Sequence, residues 1–277
     1  MTRFPDWLVY ILVTGALVLV LFGIDRRSDA PPALSDSGQI GPLLPPPSIY
    51  DPDILVDVGP VSSGLGTAFA ISQEGWWLTA RHVVDACNRV GIVVSRNTAI
   101  QVKEVRVARF ADLALLQTDR APGALALDDK ENRLQIGQSA FHVGFPQGRT
   151  GEASSRLIGR ETLVARGRYQ FEQPVLAWAE TGRTGNLQGT LSGISGGPTI
   201  DEAGRVIGVT VAESARRGRI YTASPASIAR FLEVEQTPTD GAPTARLTRT
   251  NYGQRSDELR RSLTVAQVVC IANEGQS

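Results

Sequence analysis

A serine set among glycines, Gly193-Ile194-Ser195-Gly196-Gly197-Pro198, is the stretch of this chain best suited to covalent chemistry. Glycine allows the backbone to turn sharply, which exposes the hydroxyl and aims neighbouring N–H groups at an acyl oxygen. A serine hydroxyl is a weak nucleophile at neutral pH, so it needs a base that is itself oriented by a third group. The chain has two histidines. His82 stands in Leu78-Thr79-Ala80-Arg81-His82-Val83-Val84, a strand pattern running into a short helical turn, and is the candidate base. His142 lies in an alternating strand before Gly144-Phe145-Pro146 and reads as structural. Asp112, at the head of the apolar run Leu113-Ala114-Leu115-Leu116, is the candidate carboxylate. In chain order the trio is His, Asp, Ser, and the chemistry it could perform is acyl transfer through a covalent serine ester.

Leu-Thr-Ala-Arg-His-Val-Val, Asp-Leu-Ala-Leu-Leu and Gly-Ile-Ser-Gly-Gly-Pro resemble the three catalytic motifs of trypsin-like serine peptidases, and the bacterial HtrA-like branch most closely. Gly64-Leu65-Gly66-Thr67-Ala68-Phe69-Ala70-Ile71 is similar to that branch's strand before the histidine. Ala140-Phe141-His142-Val143-Gly144-Phe145-Pro146-Gln147-Gly148 is similar to its second-barrel glycine-proline turn. The resemblance implies an all-β fold of two packed six-stranded antiparallel β-barrels, chymotrypsin-like, with the active site between them. It also implies Ser195 as nucleophile, His82 as base, Asp112 as orienting group, and the backbone N–H groups of Gly193 and Ser195 as oxyanion-hole donors. Gly189, six residues before the nucleophile, would floor the primary pocket, and its lack of charge disfavours a preference for Lys or Arg. Val211, in the strand Val209 to Glu213, would face the substrate backbone. Glu213 and Arg219 would stand near the pocket walls, either paired with each other or selecting polar side chains. The residue before the nucleophile is Ile194, which cannot receive a freed ammonium group. The domain is therefore expected to work without N-terminal processing, its oxyanion turn shaped by the loop from Thr181 to Thr190.

The remaining elements follow from pattern. Short alternating runs bounded by turn formers predict strands at Gly66 to Ser72, Trp76 to Thr79, Ile100 to Arg109, Leu113 to Gln117, Ser139 to Phe145, Arg156 to Leu163, Tyr169 to Ala179 and Val206 to Ala212. Ser224 followed by Pro225 predicts a helix start. Trp7 to Ile24 is an apolar run long enough to span a bilayer, and its flanks favour a retained anchor over a cleaved leader. The expected organisation is a transmembrane anchor over residues 1–28 and a Pro-rich linker over 29–54. A peptidase domain follows over 55–235, then a linker and short helical tail over 236–277, the helix falling near Ser256 to Val269. The tail is too short for the peptide-binding PDZ domain with which HtrA-like chains often continue.

Basic and acidic residues balance, 28 against 28, so nothing favours a nucleic-acid partner. Two cysteines without a C-x-x-C spacing argue against a metal site, and no cofactor is expected. Cys87 and Cys270 in an exported chain invite one disulfide pinning the tail across the back of the first barrel, with two separate thiols as the alternative. The implied partners are polypeptide substrates and, through the anchor, membrane lipid. The expected activity is that of a membrane-tethered, extracytoplasmic serine endopeptidase. A peptide-binding or chaperone-like module that cleaves weakly, its glycine-rich oxyanion loop misformed, is the alternative.

Overall fold

The computed structural model describes residues 40 to 185 and 187 to 272. The fold is mostly β, with two seven-stranded sheets and few helices. In chain order the strands are β1 Asp53–Val58, β2 Gly64–Ser72, β3 Trp76–Thr79, β4 Arg89–Ser95, β5 Thr98–Gln101, β6 Glu104–Val107 and β7 Ala114–Gln117. They continue with β8 Ser139–Gly144, β9 Gly151–Gly167, β10 Phe171–Arg183, β11 Pro198–Ile200, β12 Val206–Ser214, β13 Arg219–Ala223 and β14 Val265–Ile271. Among the described residues three α-helices accompany them: α1 Arg81–Val84 after β3, α2 Pro225–Val234 after β13, and α3 Tyr252–Arg261 before β14.

The first sheet runs β5-β4-β14-β2-β3-β7-β6 and the second β1-β9-β10-β13-β12-β11-β8. In the second sheet β8 pairs with both β11 and β9, so the six strands from β8 to β13 return on themselves. The architecture differs from two six-stranded antiparallel barrels in two respects. Each sheet has a seventh strand, and β1 runs parallel to β9.

Alternation of side chains along each strand explains the division of the interior. Phe69, Ile71, Trp76, Leu78, Leu113 and Leu115 of the first sheet share one cluster with Phe141, Val143, Leu163, Val175, Val209 and Val211 of the second. Their neighbours Ala68, Ala70, Trp77, Ala114 and Leu116 face the other way into the first sheet's own core. In the second sheet Leu157, Leu176, Trp178, Ile207 and Ile220 fill a third cluster. Strands buried on both faces read as continuous apolar runs, as Trp76-Trp77-Leu78 does.

Three expectations change. The run Ile100 to Arg109 is split into β5 and β6 by a break at Val102-Lys103. The Pro-rich stretch does not stand free where it is described. Gly41 N–H donates to Ile136 O at 2.7 Å, Leu44 N–H donates to Leu134 O at 2.8 Å, and Arg160 Nε donates to Pro45 O at 2.7 Å. The largest change is in the tail. The helix expected near Ser256 to Val269 ends at Arg261, and Val265–Ile271 is a strand lying between β2 and β4, antiparallel to both. Its β-branched residues Val265, Val268, Val269 and Ile271 suit a strand better than a helix, and two sheet edges satisfy its backbone groups on both sides. Cys87 and Cys270 form a disulfide, their Cα atoms 5.6 Å apart, tying β14 to the segment just after α1. The apolar run from Trp7 to Ile24 lies outside the described residues, among which no helix is long and apolar enough to cross a membrane.

Candidate active site

Between the sheets, β3 ends at Thr79 and the chain turns at Ala80 into the four-residue helix α1, which carries His82. So short a helix leaves its N–H groups without internal partners, and Asp112 supplies one. Asp112 Oδ1 accepts the His82 backbone N–H at 2.9 Å, and Asp112 Oδ2 lies 2.6 Å from His82 Nδ1. One carboxylate therefore grips both backbone and ring. Asp112 is buried and its own N–H donates to Gln173 Oε1 at 3.2 Å. An imidazole whose Nδ1–H donates a hydrogen bond to this carboxylate presents Nε2 as the free base. Burial pulls the His82 pKa down, and the charge and hydrogen bond of Asp112 more than offset it, so the pKa ends above 6.5.

The serine turn lies directly against this arm. Thr67 N–H donates to Ser195 O at 2.9 Å, and Thr79 Oγ1 donates to Thr67 O at 2.7 Å. Gly196 has φ +84°, and a Cβ there would stand 2.1 Å from Thr67 O and 2.9 Å from Ala80 N. Only glycine lets the residue after Ser195 press so close to the residues before His82. Among the described residues no hydrogen bond is formed by Ser195 Oγ or His82 Nε2, and the N–H groups of Gly193 and Ser195 donate to nothing. The structure thus pairs His82 with Asp112 and sets the Ser195 turn beside them.

A cleft of about 590 Å³ opens next to His82 and Asp112. Val211 and Glu213 of β12 line it together with Tyr169, Phe171 and Leu55, whereas Gly189 and Arg219 do not. Glu213 accepts the Leu191 N–H with both carboxylate oxygens, each at 2.8 Å. Arg219 instead stands on β13 opposite Ala179 of β10 and Ser214 of β12. Gly189 is exposed at φ +75°, and its carbonyl accepts from Arg183 Nη1 at 2.5 Å. Ile194 is buried in the apolar cluster with Leu191 and Trp178. Among the described residues no group of His, Cys, Asp and Glu side chains could hold a metal ion.

Thr67 and Gln173, which support the nucleophile turn and the carboxylate, do not announce themselves as site residues in the sequence. Thr67 lies inside the Gly-Leu-Gly-Thr motif, but a lone Gln173 in a strand gives no signal of its own.

His142 has a different environment. It is fully buried on β8, with Nδ1 3.0 Å from Thr199 Oγ1, Nε2 2.7 Å from Ser155 Oγ, and Trp178 edge-on at 5.8 Å. Burial lowers its pKa to about 3. Above pH 6.5 it is neutral in both folded and unfolded chains. As pH falls from 6.5 toward 3, the unfolded chain takes up a proton that the folded chain refuses, so stability declines. At pH 4.5 the expected loss is about 3 kcal/mol. Thermal melts of wild type and His142→Gln between pH 7 and 4.5 check this, the variant giving the flatter curve. Parallel curves would show that His142 is not the group responsible.

A family model for the trypsin-like peptidase domain matches residues 66 to 209. The chain belongs to this family. The match spans more than half of the chain and includes His82, Asp112 and Ser195. Among curated proteins, a probable periplasmic serine endoprotease DegP-like of Rhizobium meliloti is 29% identical over 170 residues, covering 60% of this chain and 32% of that protein. The protein of the same description from Brucella suis biovar 1 is 31% identical over 157 residues, covering 55% of this chain and 28% of that protein. The matched region is therefore about a third of the length of these relatives. Among solved structures, the active form of the Rv3671c protease from M. tuberculosis superposes with a TM-score of 0.51 at 22% identity, covering 64% of this chain and 75% of that one. That likeness is one of fold.

Proposed function

We propose that this member of the trypsin-like peptidase family is a serine endopeptidase that cleaves extracytoplasmic polypeptides through His82, Asp112 and Ser195. The observation that carries the reading is the Asp112 carboxylate holding His82 by backbone and ring at 2.9 and 2.6 Å, with the Ser195 turn packed against Ala80. Ser195 Oγ attacks the scissile carbonyl while His82 Nε2 takes its proton. The N–H groups of Gly193 and Ser195 receive the oxyanion, and His82 then protonates the leaving amine. Water repeats the sequence on the acyl-enzyme. Catalytic hydrogen bonds such as that between Ser195 and His82 often tighten only in the complex. Substrate adds as an extended strand along β12 at Val211 to Glu213, above the cleft. Glu213, tied to Leu191 N–H, stands at the wall of the primary pocket, and Gly189 in the adjoining turn.

The periplasmic description of the DegP-like relatives and the apolar run Trp7 to Ile24 support an extracytoplasmic domain tethered to the membrane. The position of β14 within the first sheet supports a peptidase unit that includes the tail, and the burial of Ile194 supports activity without N-terminal processing. The alternative of a weakly cleaving peptide-binding module requires a misformed oxyanion turn, and the many hydrogen bonds holding that turn favour cleavage.

The test is the pH dependence of fluorophosphonate labelling. His82 must be neutral to act, and its pKa is raised, so labelling should fall as pH drops through a midpoint above 6.5. Asp112→Asn should slow labelling by about 10⁴-fold and move the midpoint down, because the charge that raised it is gone. A labelled protein whose midpoint lies below 6.5, or ignores the Asn substitution, contradicts the assignment.

A further inference from the structure

The residue that holds the oxyanion turn from outside is Gln147, in the turn Pro146–Gly148 after β8. Its backbone is left-handed, φ 53° and ψ 29°, a conformation that a non-glycine residue keeps only when its surroundings impose it. Those surroundings are the loop before Ser195. Gln147 N–H donates to Ser192 O at 2.5 Å, and Gln147 Nε2 donates to Gln188 O at 2.6 Å and to Thr190 O at 2.8 Å.

The other carbonyls along the loop are taken as well. Gly189 O accepts from Arg183, Leu191 O from Ile194 N–H, Gly193 O from Thr67 Oγ1, Ile194 O from Gly197 N–H and Ser195 O from Thr67 N–H. Every carbonyl from Gln188 to Ser195 is thus engaged, three of them by Gln147. A trans peptide is planar, with its C=O and N–H pointing to opposite sides. Fixing Ser192 O on one side therefore fixes Gly193 N–H on the other, where among the described residues it has no partner. The approach is close: Gly193 has φ +97°, and a Cβ there would lie 2.6 Å from Phe145 O.

We propose that Gln147 is a positioning residue that sets the Ser192–Gly193 peptide with its N–H toward the acyl oxygen, so that the oxyanion hole is formed before substrate arrives. This rests on the proposed role of Gly193 N–H. The side chain anchors Gln188 and Thr190, and that anchorage keeps the backbone N–H of the same residue on Ser192 O.

The experiment compares wild type, Gln147→Leu, Gln147→Lys and Gln147→Gly on a peptide substrate the wild type cleaves. Leu matches the size of Gln without its donors, and the expected result is a fall in kcat of about 10²-fold, the lower end of the loss of one oxyanion donor, with KM within about threefold. Affinity for a peptide aldehyde, whose adduct uses the hole, should fall by the same factor as kcat/KM. The pH midpoint of labelling should stay in place, since His82 is untouched. Lys restores a donor and should recover most of kcat. Gly relieves the left-handed backbone but lacks the anchor, so it should remain slow while folded, which covers the case of an unfolded Leu variant. Wild-type kcat in a folded Leu or Gly variant, or a loss confined to KM, overturns this inference alone. An inert wild type overturns the reading of the triad and this inference with it.

Discussion

Ser195→Ala should lose fluorophosphonate labelling completely and peptide turnover by about 10⁶-fold, the scale seen when the nucleophile of a serine-protease triad is removed. Its folding should hardly change. Ser195 is only partly buried and its hydroxyl makes no hydrogen bond among the described residues, so deleting one oxygen leaves neither a cavity nor an orphaned partner. The turn is held by backbone contacts that alanine retains, the carbonyl of residue 195 on Thr67 N–H and Gly196 N–H on Thr210 O. A stability change within about 0.5 kcal/mol is therefore expected. Turnover that persists in the folded alanine variant would mean that the chemistry resides elsewhere.

Removing β14 should abolish the folded state rather than trim an appendage. The strand places Val265, Ala266, Val268 and Cys270 in the interior, and pairs with β2 over six residues and with β4 over five. Two fully buried valines alone stabilise by about 3 to 6 kcal/mol, against a total stability of about 5 to 15 kcal/mol for a typical domain. Loss of the strand also strips two sheet edges of their partners and removes Cys270 from Cys87. A chain ending after Ser262 should be insoluble or lack a cooperative melt, and should not label. A soluble, labelled truncation would show that the tail is dispensable.

The features that were legible in the sequence are those whose chemistry is local. The serine turn needs its glycines in a row, the histidine needs a strand running into a turn, and β3 with its two tryptophans reads directly as a buried strand. The tail was not legible because its partners are remote. Ser256 to Val269 carries a spacing that a helix can use, and the strand is decided by vacant edges on β2 and β4 that no local pattern announces. Residues 40 to 47 have the composition of a spacer, yet the buried Leu44 side chain, the Gly41 and Leu44 N–H groups that donate to Ile136 O and Leu134 O, and the Pro45 carbonyl that accepts from Arg160 hold them down. In the site itself Glu213 was readable as a residue near the pocket, but its partner, Leu191 N–H, was not. Gln147 appears in the sequence only as one polar residue in a glycine-proline turn, and its importance lies in three carbonyls more than 40 residues away.

The place of β14 also sets an order of events in time. The strands that flank β14, β2 and β4, emerge early from the ribosome, and β14 itself is made only after the whole second sheet. Pairings so distant in sequence are slow to form. Until they do, β2 and β4 present open edges prone to pairing with other chains. A chain still being synthesised cannot complete the sheet that carries His82, so the proposed peptide cleavage waits for that late strand.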